Sequence, residues 1–313
     1  MKPIILTLVS LSLANHAMAD EPRTKVVVNG LMSPVYFNDG DTFRVLSGSL
    51  SGTKARLEGF NTLESFGPVH SWGRWSTREL YVNAKTATLH ARRGIWRCSW
   101  DKRVDGYGRG LFKCPELAIH QIRAGLAHAM TVTADPAAPN LMDAQLEAQL
   151  NKRGIWAQGT PKWVLTSLHS VDERPDKPKA YNRLVSTVDG HSEKWVHTRR
   201  YKECEEVCVH SVSMTDEAHD AAVRALMSHE KVASHLNDQA RDPGEVKLLL
   251  EVFGMTGSVA AWVPKEQRAD YLEVLESLQI SGDLQFERGP IESCMVYVDF
   301  KRRFGGDKAK CLK

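Results

Sequence analysis

Hydrophobic and polar residues alternate along short stretches in the first half of the chain, which is the pattern of half-buried β-strands. Turns rich in glycine and serine, such as residues 47–52, separate these stretches. Strands are predicted at Lys25–Val28, Ser33–Phe37, Thr42–Leu46 and Ala55–Phe60. The pattern therefore predicts a β-rich unit at the start of the chain.

Helical spacing of apolar residues follows at residues 75–87, 115–127 and 141–152, and Pro115 opens the second of these helices. Between the first two helices, residues 87–98 and 111–114 are predicted as strands joined by a tight turn. Five strands with helices between them suit a small barrel of the oligonucleotide-binding (OB) type. The expected fold class is α+β, with an OB-like five-stranded barrel followed by a second α+β domain.

A charged, proline-rich stretch at residues 170–179 is typical of a linker. We place a first domain at residues 20–165, the linker at 166–180 and a second domain at 181–313. Thr215 is expected to cap a helix in the second domain. Its other elements are predicted as a hairpin of residues 181–187 and 193–199, the Thr215 helix to about Leu236, helices at 246–253 and 264–278, and a strand at 294–300.

The first nineteen residues have the composition of a secretory signal peptide. Lys2 precedes an apolar run, and Ala17 and Ala19 form an Ala-x-Ala cleavage site. Cleavage is expected after Ala19, which would place the mature protein in the periplasm or outside the cell. No apolar run after residue 20 reaches the length of a transmembrane segment.

Six cysteines in an oxidising compartment are expected to form disulfides. Cys98 and Cys114 flank a predicted hairpin and should pair across it. A turn of helix between Cys204 and Cys208 would strain a direct bond, so we favour links from that segment to the C-terminal cysteines. A zinc site using Cys204, Cys208 and His210 is the less favoured alternative. The sequence leaves three pairings open among Cys204, Cys208, Cys294 and Cys311.

Charge is divided unevenly between the two halves, although the whole chain is only +3. Residues 20–160 hold 18 Lys/Arg and 13 Asp/Glu, whereas residues 161–313 hold 22 and 25. A basic first half would attract a polyanion. Because the second half is acidic, we also consider that it docks on the first as an interaction or regulatory domain.

Polar clusters at predicted strand ends carry the candidate chemistry. Carboxylate and amide oxygens suit a hard cation, a carboxylate can activate water, and arginines neutralise charge on a phosphate. This combination predicts hydrolysis of a phosphodiester bond. The residues concerned are Asp39, Asp41, Arg56, Asn61, Glu64, Tyr107 and Arg109.

In order and spacing, these motifs resemble the staphylococcal nuclease (thermonuclease) family over residues 25–160. The motifs are Asp-Gly-Asp-Thr at 39–42, Arg-x5-Thr-x-Glu at 56–64, Tyr-Gly-Arg-Gly at 107–110, Gly-Leu-Ala at 125–127 and Gly-Ile-Trp at 154–156. The resemblance implies a calcium-dependent nuclease of low sequence specificity. Such an enzyme would cut DNA or RNA in single strands or loosened duplex and leave a 3′ phosphate.

The resemblance also assigns roles to individual residues. Calcium would be held by Asp41, Asn61 and the backbone oxygen of Thr62, with Asp39 supporting them from nearby. Glu64 would activate water. The scissile phosphate would contact Arg56 and Arg109, and a nucleotide would contact Tyr107.

Several positions depart from the family pattern. Asn61 replaces an aspartate ligand, which removes a negative charge, and Leu63 replaces a proline. The paired tyrosines of the family are absent after residue 127, so the tryptophans at 72, 75, 96 or 100 are candidates for base stacking. A salt bridge from Arg56 to Glu58 is an alternative to a role in catalysis. These departures keep a second reading open, in which the barrel binds nucleic acid or protein with little or no cleavage.

Overall fold

A computed structural model describes residues 24–238 and 242–313 of the chain. The predicted signal peptide at residues 1–19 and its cleavage site lie outside the described residues. The strands described are β1 (Lys25–Val28), β2 (Leu31–Asp39), β3 (Thr42–Val45), β4 (Lys54–Leu57), β5 (Gly59–Thr62), β6 (His70–Ser71), β7 (Ile95–Val104), β8 (Gly110–Lys113), β9 (Ala127–Met130), β10 (Trp163–Ser167), β11 (Ala180–Ser186), β12 (Ser192–His197), β13 (Glu206–Ser213) and β14 (Glu287–Val296). The helices described are α1 (Thr77–Arg92), α2 (Pro115–Arg123), α3 (Pro139–Leu150), α4 (Asp216–Ser228), α5 (Ala233–Asp238), α6 (Pro243–Thr256) and α7 (Arg268–Ser281).

Six strands close into a barrel in the order β1-β2-β3-β4-β8-β7. The chain reverses between β1 and β2 at Asn29 and Gly30, which both have positive φ, as the Asn-Gly hairpin turn requires. The mixed α+β class and the barrel with helices are confirmed. The predicted count of five strands is wrong, because β1 pairs with β2 on one edge and with β7 on the other and is a full member of the ring.

Buried side chains from alternate positions of the strands fill the interior of the barrel. Every second side chain of β1, β2 and β3 is buried, and these side chains join one hydrophobic core with residues of α2 and α3. Phe43 lies at its centre, with ring centres 5.3 Å from those of both Phe37 and Phe112. This core holds the strand ends that carry the candidate site residues.

Two predicted helix boundaries are wrong. Helix α1, capped by Ser76 and Glu79, continues to Arg92 through the start of the strand predicted at residues 87–98. Helix α2 ends at Arg123, before the predicted residue 127. The chain leaves α2 at Gly125, where φ is +67° and a Cβ would lie 2.2 Å from the backbone oxygen of Arg153, so only glycine allows this approach. The next residues then form β9, which pairs with β5.

The predicted strand at residues 55–60 is two strands, β4 in the barrel and β5 outside it. Strand β5 pairs only with β9, in a separate two-stranded sheet. The chain bends between the two strands at Gly59, where φ is +92°. This bend places Arg56 on the barrel and Asn61 on the neighbouring sheet, facing each other.

In the second half, the predicted hairpin forms from β11 and β12, and Thr215 accepts a hydrogen bond from Ala218 N as the cap of α4. Helix α4 ends at Ser228 rather than near Leu236, which lies in the separate helix α5. The strand predicted at residues 294–300 runs instead from Glu287 to Val296. Strand β13 was not predicted.

Backbone hydrogen bonds join the two halves of the chain. Strand β14 pairs with β13 on one side and with β6 of the first half on the other. The backbone N–H of Val296 also donates to the oxygen of Val69, at 2.8 Å. The predicted linker at residues 166–180 begins inside β10, which pairs with β11. The second half is therefore joined directly to the chain that follows Glu64.

Three disulfides form: Cys98–Cys114, Cys204–Cys311 and Cys208–Cys294. The predicted first bridge and the predicted links between the two distant segments are confirmed. The reason offered for those links is wrong, because Cys208 lies in β13 and not in a helix. With their sulfurs in disulfides, Cys204 and Cys208 are not zinc ligands. Among the residues described, no helix has both the length and the apolar character that crossing a membrane requires.

Candidate active site

Asp41 and Arg56 form a buried ion pair at the end of the barrel. Asp41 follows the turn after β2 and is 2% exposed. Its Oδ1 pairs with Arg56 Nη1, and its Oδ2 accepts a hydrogen bond from the backbone N–H of Thr62 at 2.8 Å. The alternative pairing of Arg56 with Glu58 is wrong, because Glu58 pairs with Arg103 at 2.8 Å.

Asn61 joins this pair through its amide. Its Oδ1 accepts from Arg56 Nη2 at 2.6 Å, and its Nδ2 donates to the backbone oxygen of Thr62 at 2.9 Å. The Nδ2 also lies 3.3 Å from Nε2 of His128. Burial lowers the pKa of His128 to about 4, so its ring is neutral at pH 7 and can accept this bond. An aspartate at position 61 could not donate this hydrogen bond to the Thr62 oxygen. The bond is therefore a structural reason for an asparagine at this position.

The oxygens here suit a hard divalent cation. Asp41, Asn61 and the backbone of Thr62 offer oxygen donors, the type that Ca²⁺ prefers. Burial, together with the charges of Asp41 and Glu64, raises the pKa of Asp39 well above its usual value. The hydroxyl of Thr62 is buried and has no hydrogen-bond partner among the described residues. The donor set fits calcium, although Arg56 would have to leave Asp41 and Asn61 for a cation to bind there.

The charges of Asp41 and Arg56 also act on Glu64. It is half-buried, and its backbone N–H donates to Nε2 of His70 at 3.3 Å. Burial raises the pKa of Glu64, while the positive charges of Arg303, Arg56 and Arg109 act to lower it. Of the predicted catalytic residues, Arg56 and Arg109 therefore both favour the ionised form of Glu64.

Arg109 is oriented by an aspartate that the motif analysis did not single out. Asp105 Oδ1 accepts from the backbone N–H groups of Tyr107 and Arg109, each at 2.9 Å, and its Oδ2 accepts from Arg109 Nε at 2.7 Å. The ring of Tyr107 is 65% exposed and lies 5.6 Å from the Arg109 guanidinium carbon. Arg174 lies 5.9 Å from the same ring. Asp105 thus leaves the outer nitrogens of Arg109 available for a phosphate.

The chain matches no protein-family model. No curated protein matches it either. The likeness to the staphylococcal nuclease family therefore rests on the sequence motifs.

Four tryptophans were predicted as candidates for base stacking, and the prediction is wrong for two of them. Trp72 and Trp96 are buried, and their indole nitrogens donate to backbone oxygens inside the protein. Trp100 stacks on Phe112 with ring centres 5.0 Å apart. Trp75 donates to the oxygen of Ile155 and packs against a small core. Trp75 and Trp100 are half-buried and remain candidates for base stacking.

Arg303 is the site residue that sequence reasoning passed over. The basic run at residues 301–303 has the residue types for phosphate contact, but the sequence pattern favours a solvated strand end. Arg303 is half-buried, and after burial its charge has the largest effect on the pKa of Glu64. The basic run was the available signal; its position beside Glu64 depends on the pairing of β14 with β6.

His70 makes the stability of this site depend on pH. Burial lowers its pKa from 6.5 to about 3, so the folded protein binds fewer protons at this position than the unfolded chain does. The stability that this histidine contributes is present above pH 6.5 and is lost as the pH falls below it. Between pH 7.5 and pH 5, we expect it to cost about 2 kcal/mol of unfolding free energy.

Urea unfolding of the wild type and of His70→Gln, measured at both pH values, tests this expectation. Glutamine keeps an acceptor for the Glu64 N–H but does not titrate. The variant should lose less stability on acidification than the wild type. An equal loss in both proteins would show that His70 is not the source.

Proposed function

We propose that this protein is an exported, calcium-dependent nuclease that hydrolyses phosphodiester bonds of DNA or RNA with low sequence specificity. The observation that supports it is the contact of Arg56 with the oxygen donors Asp41 and Asn61, together with the effect of Arg56 and Arg109 on the pKa of Glu64. One acid and two arginines that converge on one site match the needs of phosphate hydrolysis. On this proposal the six-stranded barrel is of the OB type.

The proposed ion would be held by Asp41, Asn61 and the backbone oxygen of Thr62, and Asp39 would support them from nearby. When bound, Ca²⁺ supplies positive charge to the phosphate oxygens and helps to position the attacking water. A cation bound to Asp41 and Asn61 would release the Arg56 guanidinium, which contacts both of these side chains, beside the ion. The guanidinium can then donate two hydrogen bonds to a phosphate.

The reaction itself uses Glu64 as the base. Glu64 takes a proton from water as the water oxygen attacks phosphorus. Arg56 and Arg109 donate hydrogen bonds to the phosphate oxygens as negative charge builds on them. The bond from phosphorus to the 5′ oxygen breaks, and that oxygen takes a proton from solvent. The products are a 3′ phosphate and a 5′ hydroxyl.

Export is part of this proposal. The disulfides Cys98–Cys114, Cys204–Cys311 and Cys208–Cys294 suit an oxidising compartment, where such bonds persist. The signal-peptide pattern of residues 1–19 gives the same location, periplasmic or secreted.

A second candidate function is a nucleic-acid or protein-binding module with weak or no catalysis. Two observations favour it. Arg56 already contacts the side-chain oxygens of Asp41 and Asn61, and position 61 carries a neutral asparagine where the nuclease family has an aspartate. In that case the arginines would bind an anion and the carboxylates would serve to fix them.

Digestion of single-stranded DNA by the mature chain, in calcium and in EDTA, separates the two functions. The nuclease proposal expects cleavage in calcium and none in EDTA. Binding of the DNA without cleavage at millimolar calcium would instead favour the binding module. Asn61→Asp restores a negative charge, and we expect it to lower the calcium concentration needed for half-maximal cleavage by about tenfold. An unchanged calcium requirement would count against calcium at these oxygens.

A further inference from the structure

Two phenylalanines and an arginine near the C-terminus continue the surface beside Glu64. The guanidinium carbon of Arg303 lies 4.8 Å from the ring centre of Phe66 and 5.8 Å from that of Phe300. The ring of Phe304 lies 6.1 Å from Phe66 and 6.0 Å from Phe300. Phe66 is two residues after Glu64 in the chain. Arg303 and Phe304 therefore lie against the loop that carries Glu64, and Phe300 packs on both of them.

Two neighbouring aromatic rings on this surface are open to solvent. Phe300 is 68% exposed and Phe304 is 58% exposed. They cover little of the core, since the buried partner of this cluster is Phe66. Adjacent exposed aromatic rings beside a basic site are typical of surfaces that stack on unpaired bases.

Arg303 has nitrogen atoms available for an anion. Its Nε donates to the backbone oxygen of Val298 at 3.0 Å, which orients the guanidinium. Within the described part of the chain it forms no salt bridge, whereas Arg302 pairs with Glu203 at 2.9 Å. The two terminal nitrogens of Arg303 can therefore donate to a phosphate.

The support beneath this surface is rigid. Leu312 packs on Gly67 so closely that a Cβ there would lie 2.4 Å from the leucine Cδ2. Cys311 is bonded to Cys204, which ties the end of the chain to the second half. The aromatic rings and Arg303 are thus held at a set place relative to Glu64.

We propose that Arg303, Phe300 and Phe304 form a nucleotide subsite that extends the candidate active site, in which Arg303 binds a phosphate and the rings stack on a base. The ligand class is single-stranded nucleic acid, because bases in a duplex are already stacked and do not offer their faces. This inference rests on the proposed function and adds a substrate-binding role for the second half of the chain.

Binding of a fluorescent oligothymidylate to the full-length mature chain carrying Glu64→Gln tests the subsite, since that background should not consume the probe. Fluorescence anisotropy would be measured for two matched pairs of variants. Arg303→Gln should weaken binding about tenfold, and Arg302→Gln, which removes the same charge one residue away, by less than about twofold. Phe300→Ala should weaken it about fivefold, and Ile280→Ala, at an exposed apolar residue on α7, should not.

An oligonucleotide of the same length with abasic sites separates stacking from charge. On that probe the effect of Phe300→Ala should disappear, while that of Arg303→Gln should remain. Urea unfolding midpoints equal to that of the background protein would show that the variants fold. Arg303→Lys keeps the charge without the planar fork and should bind with intermediate affinity.

The outcomes distinguish this inference from the proposed function. Cleavage by the wild type, with Arg303→Gln and Phe300→Ala no different from their controls, overturns the subsite and leaves the nuclease intact. Weaker binding by both variants, with no cleavage by the wild type, supports the subsite and overturns the nuclease.

Discussion

On the proposed function, Glu64→Gln should lower the calcium-dependent cleavage rate by about 10²- to 10⁴-fold, which is the range for loss of a general base. Glutamine has nearly the same shape as glutamate but cannot take a proton from water at neutral pH. The backbone N–H of this residue still donates to His70, and the arginines around it remain in place. Single-turnover cleavage of single-stranded DNA by the variant and the wild type measures the difference.

Glu58→Gln is the matched control for this prediction. Glu58 is the same residue type, only two residues from Arg56, but it pairs with Arg103 on the outside of the barrel. We expect its removal to change the rate by less than about twofold, because exposed ion pairs contribute little. Equal rates for Glu64→Gln and the wild type would remove Glu64 from the mechanism.

Replacing Cys204, Cys208, Cys294 and Cys311 together by alanine lowers the unfolding free energy by about 4 kcal/mol or more. The two bridges span 107 and 86 residues, and bridges over long segments restrict the unfolded chain most. They also hold β14 and the C-terminus against the loop after Glu64. Cleavage should therefore fall together with stability. Urea unfolding and the cleavage assay at one temperature measure both.

The bridge Cys98–Cys114 provides the comparison. It spans 16 residues, so replacing these two cysteines by alanine should cost about 3 kcal/mol. In the four-alanine variant the N–H of Val296, which donates to Val69, should also exchange with solvent faster than in this control. An unfolding midpoint at or above that of the control would contradict the prediction.

Many strands of the barrel could be predicted from local sequence patterns. The alternation of β1, β2 and β3 depends on neighbouring residues in the chain, and so do the hairpin of β11 and β12 and the cap at Thr215. Each of these signals acts over a few residues, where propensity and hydrogen bonding to the local backbone decide the conformation. The Cys98–Cys114 bridge and the links between the two distant cysteine segments were also predicted, although the individual pairs were left open, β13 was missed and the stated reason was wrong.

The candidate site was predicted in its residues but not in its contacts. The motifs named Asp41, Arg56 and Glu64, yet Arg56 was given Glu58 as a possible partner. Strand periodicity puts residues two apart on one face, but the bend at Gly59 instead turns Arg56 toward Asn61 and Asp41. The end of α2 was missed for a related reason, since the contact of Gly125 with Arg153 crosses from one element to another.

By itself, the sequence determined the α+β class, most strand positions, the partners of the cysteine segments and the residue types of the candidate site. Only the tertiary structure decided that Arg56 bridges Asp41 and Asn61, and that Arg303 lies beside Glu64. Ion pairs and strand pairs between distant residues depend on which surfaces are buried together, and no local pattern encodes that. The pairing of β6 with β14, for example, brings the C-terminal segment of the chain next to the segment that follows Glu64.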